Sequence, residues 1–235
     1  VAAWEGLGYY RRARLLHAAA VRICDLHDGE VPASTEALLA LPGVGRYTAG
    51  SIASIAFGRR TPIVDGNVIR VVARLEAIDA AADDSDLVAR CWETADTLVR
   101  AAASPGVLNE SLMELGATVC KPARPCCDRC PLQSQCAAFR FGSASRIPRP
   151  KRRAVRQSVH LYPVVIRRGD RVLLRQRPHR GIWAGLWEMP SVESADPLDQ
   201  AAIELGLGFK VEKLRPIETF KRLLTHREVH FHVYE

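Results

Sequence analysis

The sequence lacks any apolar stretch that approaches the ~20 residues of a membrane-spanning helix, and this absence excludes an integral helical membrane protein. Aromatic residues are scarce, at 6% of the chain, and neither internal repeats nor low-complexity tracts occur. The remaining composition, 48% hydrophobic and 25% charged, is typical of a soluble globular protein and excludes a disordered or collagen-like one. At ~150 residues per domain, the length predicts one or two domains.

Acidic residues are absent from residues 137–160, which carry seven basic side chains. This segment accounts for the whole net charge of +7, because the charges before and after it cancel. Such a segment attracts a polyanion, since each phosphate that it neutralises releases counterions. It could equally be a solvated linker that needs charge to stay extended. The sequence leaves both interpretations open.

Apolar residues at spacings of three and four predict that the first part of the chain is helical. Ser34 and Asp86 are the candidate N-caps of the second and fifth helices. Pro42 and Gly43 end the second helix, so that a glycine-rich turn joins it to the third. The predicted helices cover residues 9–27, 35–39, 46–57, 67–77, 86–102 and 108–119.

Strand signals begin after the Pro- and Arg-rich segment 146–151. Residues 159–167 and 172–177 flank a Gly169–Asp170 turn and predict a β-hairpin, and the alternation over 229–233 predicts one more half-buried strand. We therefore predict an all-α domain, a basic linker and an α/β domain, over residues 1–140, 141–158 and 159–235.

Five of the seven cysteines lie between residues 120 and 136. Without Cys126 they follow a C-x6-C-x2-C-x5-C spacing, and intervening prolines limit the flexibility of the loop. An odd number of cysteines, two of them adjacent, is a poor disulfide framework, so a metal site is the stronger interpretation. The spacing favours an iron-sulfur cluster only slightly over zinc. The candidate ligands are Cys120, Cys127, Cys130 and Cys136.

The remaining cysteines, Cys24 and Cys91, fall within helical patterns and are predicted to be buried.

The turn at Leu41–Gly45 contains two glycines, which permit a positive φ and the close approach of another backbone. Free N–H groups at the start of the following helix could bind a phosphate, although a helix-turn-helix without a ligand is an equal alternative. Asp65 directly precedes a helical pattern and is therefore an ordinary N-cap candidate. A carboxylate fixed there could also stabilise an oxocarbenium-like transition state, and Asn67 could orient it by hydrogen bonds.

The turn, the aspartate and the cysteine spacing occur together and in order. In these features the chain resembles the helix-hairpin-helix DNA glycosylases, and among them the adenine DNA glycosylases of the MutY type. The resemblance covers nearly the whole chain. It rests on the segments Gly6–Tyr10, Leu41–Gly50 and Val64–Val68 and on the cysteine spacing. It implies that the four cysteines bind a [4Fe-4S] cluster.

The resemblance also implies roles for individual residues. Asp65 matches the catalytic aspartate, and Asn67 and Tyr47 match residues that line its pocket. Endonuclease III-type relatives, which also cut the strand, carry a lysine in place of Tyr47, so a monofunctional enzyme is expected and the lyase is the alternative. Tyr9 matches a tyrosine wedged into the DNA stack. The expected DNA contacts in this domain are Tyr9, Leu41, Gly43, Val44 and Gly45.

Residues 159–235 resemble the Nudix-like (MutT-like) domain of the same family, through Arg175–Pro178 and Gly181–Pro190. The helix that would bind Mg²⁺ in a Nudix hydrolase has one glutamate here, in Asp199–Gly206, so a lesion-recognition module is expected instead of a hydrolase. The family's loop that inspects 8-oxoguanine often reads Phe-Ser-His, whereas this chain has Leu224–His226. Because a threonine hydroxyl offers the same donor and acceptor as that of serine, Thr225 and His226 are the candidates for reading the oxidised base. Trp183 and Trp187 are expected to pack at the domain face, and His230 and His232 to lie on a solvent-facing strand.

The resemblance therefore implies removal of adenine opposite 8-oxoguanine or guanine in base excision repair. Duplex DNA with such a mismatch is the expected partner of a monomeric enzyme in the bacterial cytoplasm. The chain opens at Val1, and Glu5 does not match the family's general-acid glutamate. We therefore expect a fragment that is truncated at both ends and inactive alone.

Overall fold

The computed structural model describes residues 2–151, 156–178, 181–208 and 214–235. The chain folds into two compact units, residues 1–152 and 153–235, and each has a hydrophobic core of its own. Among the described residues, no helix is long and apolar enough to cross a membrane.

The first unit is mainly helical, as predicted. Short 3-10 turns occur at Ala2–Trp4, Cys127–Arg129 and Gln133–Gln135, and π-helical turns at Ile52–Ala56 and Leu115–Val119. The α-helices are α1 (Tyr10–His27), α2 (Thr35–Leu39), α3 (Arg46–Ser51), α4 (Gly66–Leu75), α5 (Ser85–Ala101), α6 (Pro105–Glu114) and α7 (Ala137–Arg140).

Side-chain caps fix where three of these helices begin. Ser34 caps α2 as predicted, because its hydroxyl accepts a hydrogen bond from the Ala37 amide at 3.2 Å. Asp65 caps α4 in the same manner. The predicted cap of α5, Asp86, is wrong by two residues: Asp84 accepts from the amides of Asp86 and Leu87, both at 3.1 Å. Asp83, Asp84 and Asp86 lie within four residues, and each satisfies the same local rule for an N-cap, so the sequence alone does not identify the correct one.

Two predicted helices change from an α-helix to a π-helical turn towards their C-terminal ends. The segments 46–57 and 108–119 begin as α3 and α6 and end as the π-helical turns Ile52–Ala56 and Leu115–Val119. Gly116 lies in the second of these turns, and a β-carbon there would lie 2.5 Å from Cβ of Asn67. The glycine therefore allows this turn to approach α4 closely.

The largest core of the first unit surrounds α4. Buried residues from four helices and from the segment after α7 contribute to it: Val68, Val71, Val72, Leu87, Cys91, Ala95, Leu112, Ala138 and Ile147. Cys91 is buried as predicted, whereas Cys24 is exposed and the prediction for it was wrong. Cys24 lies on α1, of which only Ala19 is buried.

The buried side chain of Asn109 connects α6 to two other segments. Its Oδ1 accepts from the Ile63 amide at 3.3 Å, and its Nδ2 donates at 2.9 Å to both the Ser54 hydroxyl and the Thr61 carbonyl. These bonds hold the extended residues 61–64, which lead into Asp65.

The predicted linker, residues 141–158, is not an extended tether over its first half. Ile147 is 4% exposed within the core around α4, and its carbonyl accepts from the Arg74 guanidinium at 2.7 Å. Arg149 exchanges backbone hydrogen bonds with the segment at Ala80–Ala82. The apolar residues between the basic ones explain the difference, because they bury area that the charge count ignores. Residues 152–155 lie outside the described part of the chain.

The second unit contains a four-stranded sheet with the order β6-β1-β8-β7. β1 is antiparallel to β6 and parallel to β8, while β7 and β8 form an antiparallel hairpin. The elements are β1 (Gln157–Pro163), β2 (Arg167–Arg168), β3 (Arg171–Val172), β4 (Arg175–Gln176), β5 (Trp187–Glu188), β6 (Ser191–Ser194), α8 (Gln200–Leu207), β7 (Pro216–Leu223) and β8 (Arg227–Tyr234).

The predicted final strand is confirmed as β8, but the predicted hairpin is only partly present. Across Gly169–Asp170, β2 and β3 pair over two residues each, while β1 pairs with β6 and β8 instead. β1 is an interior strand with buried residues, such as Leu161 and Tyr162, and its apolar partners come from later in the chain. Local alternation could not reveal that pairing.

Candidate active site

A cavity of about 660 Å³ opens where α3, α4 and α6 meet. Tyr47 of α3, Asp65 and Asn67 all line it, so the structure brings the three predicted catalytic positions together. The cavity is therefore the candidate active site. Its other described lining residues come from α6 and the turn after it: Val107, Glu110, Ser111, Met113, Glu114 and Ala117.

Asp65 is half-buried, and N–H groups fix both of its carboxylate oxygens. Oδ1 accepts from the backbone amides of Asn67 and Val68, both at 2.8 Å, at the start of α4. Oδ2 accepts from Nδ2 of Asn67 at 2.9 Å. The N-cap and the catalytic interpretations of Asp65 are therefore compatible, because capping is what orients the carboxylate towards the cavity.

Asn67 is itself held by Arg70, one turn further along α4. Nη2 of Arg70 donates to Oδ1 of Asn67 at 2.7 Å and to the Gly116 carbonyl at 2.6 Å, and Nε donates to the Cys120 carbonyl at 2.7 Å. Burial lowers the pKa of the Arg70 guanidinium, while the charges of Cys120 and Asp65 act in the opposite direction. A continuous hydrogen-bonded path thus leads from the carboxylate to the cysteine loop.

Tyr47 lies near the end of the helical hairpin, on the first turn of α3, and is 44% exposed. Its hydroxyl donates to Sδ of Met113 at 3.6 Å, a contact that leaves the phenol largely free to meet a ligand. Sequence reasoning missed Glu110 and Glu114, which also line this cavity. A spacing of four residues on α6 places them on one helix face, but no local signal connects that face to Asp65.

The helical hairpin presents mainly its backbone. Gly43, at φ 78°, and Gly45 are exposed, and Val44 is half-buried. Leu41 is 5% exposed and packs with Leu38 and Ala49 in a small core, so its side chain anchors the turn. A ligand at this turn would therefore contact amides and not the Leu41 side chain.

Tyr9 precedes α1 in the left-handed backbone region, at φ 49°, and its side chain is 74% exposed. The Arg12 guanidinium lies 5.4 Å from the centroid of its ring. A bulky residue in this backbone region is uncommon and strained, and such residues often lie at functional sites.

Four of the loop cysteines, with Cys126, line a second, small cavity of about 30 Å³. The cysteines Cys120, Cys127, Cys130 and Cys136 are half-buried free thiols. Burial raises the pKa of the Cys127 thiol, and the charges of the other three add to this effect. Within the described part of the chain, no three His, Cys, Asp or Glu side chains converge closely enough to hold a single metal ion.

Arg74 of α4 faces this small cavity and is 2% exposed. Its Nη1 donates to Sγ of Cys120 at 3.2 Å and to the Lys121 carbonyl at 2.8 Å, and its Nη2 donates to the Pro122 carbonyl at 2.8 Å. No carboxylate of the described residues pairs with it in an ion pair. A buried guanidinium without a carboxylate favours an anionic group in the cavity that the cysteines line.

In the second unit, Thr225 and His226 are exposed in the turn between β7 and β8. The turn is closed by the Leu224 amide, which donates to the Arg227 carbonyl at 2.8 Å.

The histidines and tryptophans of this unit differ from expectation. His230 and His232 are half-buried, and both stack on His160, whose Nδ1 lies 3.0 Å from Nε2 of His232. Burial lowers the pKa of His232. Trp187 is 67% exposed and so is not packed, whereas Trp183 is half-buried.

Comparisons with known proteins agree with this division of the chain. A family model of the helix-hairpin-helix motif matches residues 26–55, and a model of the NUDIX domain matches residues 162–235. These matches and the observed elements confirm the predicted fold class, a helical glycosylase-type domain followed by a Nudix-like domain.

The curated relatives are named adenine DNA glycosylases. The one from Arabidopsis thaliana is 42% identical over 84% of this chain and 33% of its own length. The human protein is 38% identical over 85% of this chain and 45% of its own length. The protein of Buchnera aphidicola (Schizaphis graminum) is 26% identical over 97% of this chain and 65% of its own length. The chain thus spans between a third and two thirds of these relatives.

Proposed function

Because this chain belongs to the MutY-type adenine DNA glycosylases of the helix-hairpin-helix superfamily, we propose that it removes adenine from DNA by hydrolysing the N-glycosidic bond. One observation carries the proposal: the Asp65 carboxylate, held by three N–H donors, lies at a cavity of about 660 Å³ that Tyr47 and Asn67 also line. A cavity of this volume accommodates an extruded nucleoside.

When the bond between the base and C1′ breaks, positive charge develops on the sugar. A carboxylate that is already oriented stabilises this charge without any reorganisation of its own. Asn67 fixes the direction of Oδ2, and Arg70 fixes Asn67. Water then attacks C1′: its oxygen and one proton form the new hydroxyl group of the sugar, and its other proton balances the adenine that leaves. Glu110 and Glu114 add two carboxylates to the cavity, which could accept hydrogen bonds from N–H groups of the base.

The enzyme is proposed to be monofunctional. A lyase forms a Schiff base between an amine and the opened sugar, and a phenol cannot form one. Tyr47 occupies the position that would approach the sugar, and none of the described residues that line the cavity is a lysine.

Duplex DNA is the proposed partner, bound by both units. The backbone amides at Gly43–Gly45 would hold a phosphate, and the exposed ring of Tyr9 would enter the base stack. Thr225 and His226 would read an 8-oxoguanine opposite the adenine, because the exposed turn offers a hydroxyl and an imidazole to the edge of a base.

A [4Fe-4S] cluster is proposed for Cys120, Cys127, Cys130 and Cys136. They line one cavity without converging on one point, and a cluster with four irons binds each thiolate at a different iron. Zinc needs all four sulfurs around a single ion. The buried Arg74 supplies a positive charge beside Cys120. The cluster, when bound, would supply a compact anion that fixes the loop against α4.

The test is a strand-break assay with the complete gene product. A duplex with adenine opposite 8-oxoguanine is incubated with the protein and then with alkali, which cleaves at abasic sites. Asp65→Asn should abolish cleavage at the adenine. Asp84→Asn is the matched control, because Asp84 caps α5 through two amides but lies outside the cavity, and its activity should be unchanged. Equal activity of wild type and Asp65→Asn would overturn the proposal.

A further inference from the structure

Three histidines of the second unit, His160, His230 and His232, lie next to one another on one face of the four-stranded sheet. His160 of β1 is opposite His230 in the parallel pairing with β8, and His232 follows on the same face two residues later. All three are half-buried. The proposed reading of 8-oxoguanine by the turn at Thr225 and His226 does not use this histidine cluster.

A side-chain hydrogen bond joins two members of the histidine cluster across the strands. Nδ1 of His160 lies 3.0 Å from Nε2 of His232, and the two rings are within 13° of parallel. In a neutral imidazole one ring nitrogen donates and the other accepts, so this bond contains a single proton. It therefore connects the side chains of β1 and β8, in addition to the backbone pairing of these strands.

The other neighbours of this pair are stacked rings. The ring centroids of His230 and His160 are 4.8 Å apart, and so are those of Tyr162 and His232. The phenol of Tyr234 follows next to Tyr162, with centroids 6.5 Å apart. Such rings exclude water and leave positive charge on the pair poorly solvated. Burial lowers the pKa of His232, and the charges of the other two histidines act in the same direction.

Few charges can compensate for protonation of the histidine cluster. On the same face, β7 contributes Lys221 and β8 contributes Glu228. Oε1 of Glu228 lies 3.3 Å from both Nζ of Lys221 and Nε2 of His230. β6 contributes the neutral Ser194, and the one charged residue of α8, Glu204, accepts a hydrogen bond from its own helix. Two added positive charges on the cluster would therefore share one carboxylate that already pairs with a lysine.

The two facing nitrogens determine what protonation does to the bond between His160 and His232. A first added proton can go to the outward nitrogen of either ring, and the bond then keeps its single proton and becomes charge-assisted. A second added proton makes both rings imidazolium, so that both facing nitrogens carry a proton. Two N–H groups that point at each other across 3.0 Å repel, and the bond must break.

We propose that the histidine cluster is an acid-sensitive latch between β1 and β8. At neutral pH the proton between His160 and His232 ties the two strands together, and in acid the doubly charged pair opens and weakens their pairing. The Gln157 amide, at the start of β1, donates to the His226 carbonyl at 3.1 Å, so weaker pairing also loosens the turn that precedes β8. The latch is a property of the second unit and does not depend on the proposed glycosylase function.

The direction of the pH effect follows from the pKa of His232. Because this pKa is lower in the folded chain than the ordinary value of 6.5, the unfolded chain binds the proton more readily. The stabilisation is thus complete above pH 6.5 and is lost as the pH falls below it. One additional proton bound on unfolding changes the unfolding equilibrium by about tenfold per pH unit.

Hydrogen exchange of the full chain at about pH 7.5 and about pH 5, on either side of the ordinary histidine value, tests the proposal. After correction for the intrinsic exchange rate, the amides of β1 and β8 should lose about tenfold in protection at the lower pH, whereas those of α4 should keep theirs. In His160→Gln the protection of β1 and β8 should change by less than about twofold, because a glutamine amide does not become a cation at these pH values.

His226→Gln is the matched control. His226 is exposed in the same unit, and only its backbone carbonyl bonds to β1, so the loss of protection in acid should be the same as in wild type.

A second measurement remains decisive even if His160→Gln does not fold. Nitrogen chemical shifts of the imidazole rings in the wild-type protein show which ring atoms carry a proton. At neutral pH one of the two facing nitrogens should carry a proton and the other none; in acid both should carry one, over the pH range in which β1 and β8 lose protection. Two unprotonated facing nitrogens at neutral pH, protection independent of pH, or an equal loss in His160→Gln and wild type would each overturn the proposal.

Discussion

Gly116 lies so close to Asn67 that a β-carbon on the glycine would be 2.5 Å from Cβ and 2.9 Å from Cα of the asparagine. Neither backbone can yield easily, because Asn67 belongs to α4 and Gly116 to the π-helical turn after α6. The position of Asp65 and Asn67, the proposed catalytic pair, therefore depends on a residue without a side chain.

Gly116→Ala should displace Asn67 and, through it, the Asp65 carboxylate. A displacement of ~1 Å can reduce a rate by ~10²-fold, so excision of adenine under single-turnover conditions should fall by about this factor. Gly66→Ala is the matched control, since a β-carbon on Gly66 has no neighbour within 4 Å. A rate for Gly116→Ala equal to that of Gly66→Ala would contradict the assigned role of the close contact.

Arg74→Met should lower both the iron content and the stability of the first unit. The substitution removes the buried charge beside Cys120 and leaves the Ile147, Lys121 and Pro122 carbonyls without their donor. We expect a loss of about 3–5 kcal/mol in the free energy of unfolding, because each of the three carbonyls that are left without a donor costs about 1–3 kcal/mol. Iron per chain and urea unfolding measure the two effects.

Arg90→Met is the control for that experiment. Arg90 pairs with Glu76 at 2.8 Å, but the arginine is 54% exposed, and such surface pairs contribute at most about 1 kcal/mol. Full iron content in Arg74→Met would show that the guanidinium does not help to hold the cluster.

Tyr47→Lys should introduce strand cleavage without alkali. The new amine would lie at the cavity that Asp65 lines, where it can attack the opened sugar and form a Schiff base. Borohydride should then trap a covalent complex of protein and DNA. Tyr47→Phe, which adds no amine, should give no trapped complex; trapping to the same extent in both variants would mean that another amine reacts.

Thr225→Ala should reduce the preference for 8-oxoguanine over guanine opposite the adenine. The lost hydroxyl is expected to cost about 1 kcal/mol, close to a fivefold change in the ratio of the two rates. Thr219→Ala, on an exposed position of β7 in the same hairpin, is the control. An unchanged ratio in Thr225→Ala would remove this residue from the reading of the lesion.

Cys91 should make part of the stability dependent on alkaline pH. Burial raises the pKa of its thiol from 9.0 to about 11, so the folded state disfavours the thiolate. The pKa of this thiol is thus higher in the folded than in the unfolded state. The stabilisation that the buried, protonated thiol contributes is therefore complete below pH 9.0 and is lost as the pH rises towards 11. The stability of wild type relative to Cys91→Ala should therefore decrease between these pH values in urea unfolding. A constant difference would refute this linkage.

Local sequence signals predicted the separate elements of the candidate active site, but not how these elements come together. Caps and turns obey rules that span about four residues. The sequence therefore predicted the cap Asp65, the glycine turn and the start of α3. The contributions of Glu110, Gly116 and Arg74 were not visible, since each acts on residues about 40 or more positions away. The cysteine spacing indicated a metal site, but the buried positive charge beside it required the structure.

The strand pairing of the second unit was harder to predict from the sequence for the same reason. β1 pairs in parallel with β8, about 70 residues later, and no pattern within either strand identifies its neighbour. The stack of His160 with His230 and His232 follows from that pairing. Alternation correctly predicted that β8 exists, and it could not predict that its polar face is half-buried.

The three hydrogen bonds of Asn109 also have a topological consequence for the segment that precedes Asp65. Residues 61–64 are bonded to an amide that lies 46 residues after Ile63, so these bonds can form only when α6 has been synthesised. They close a stretch of chain that contains α4 and α5. Contacts between residues this far apart in sequence slow folding.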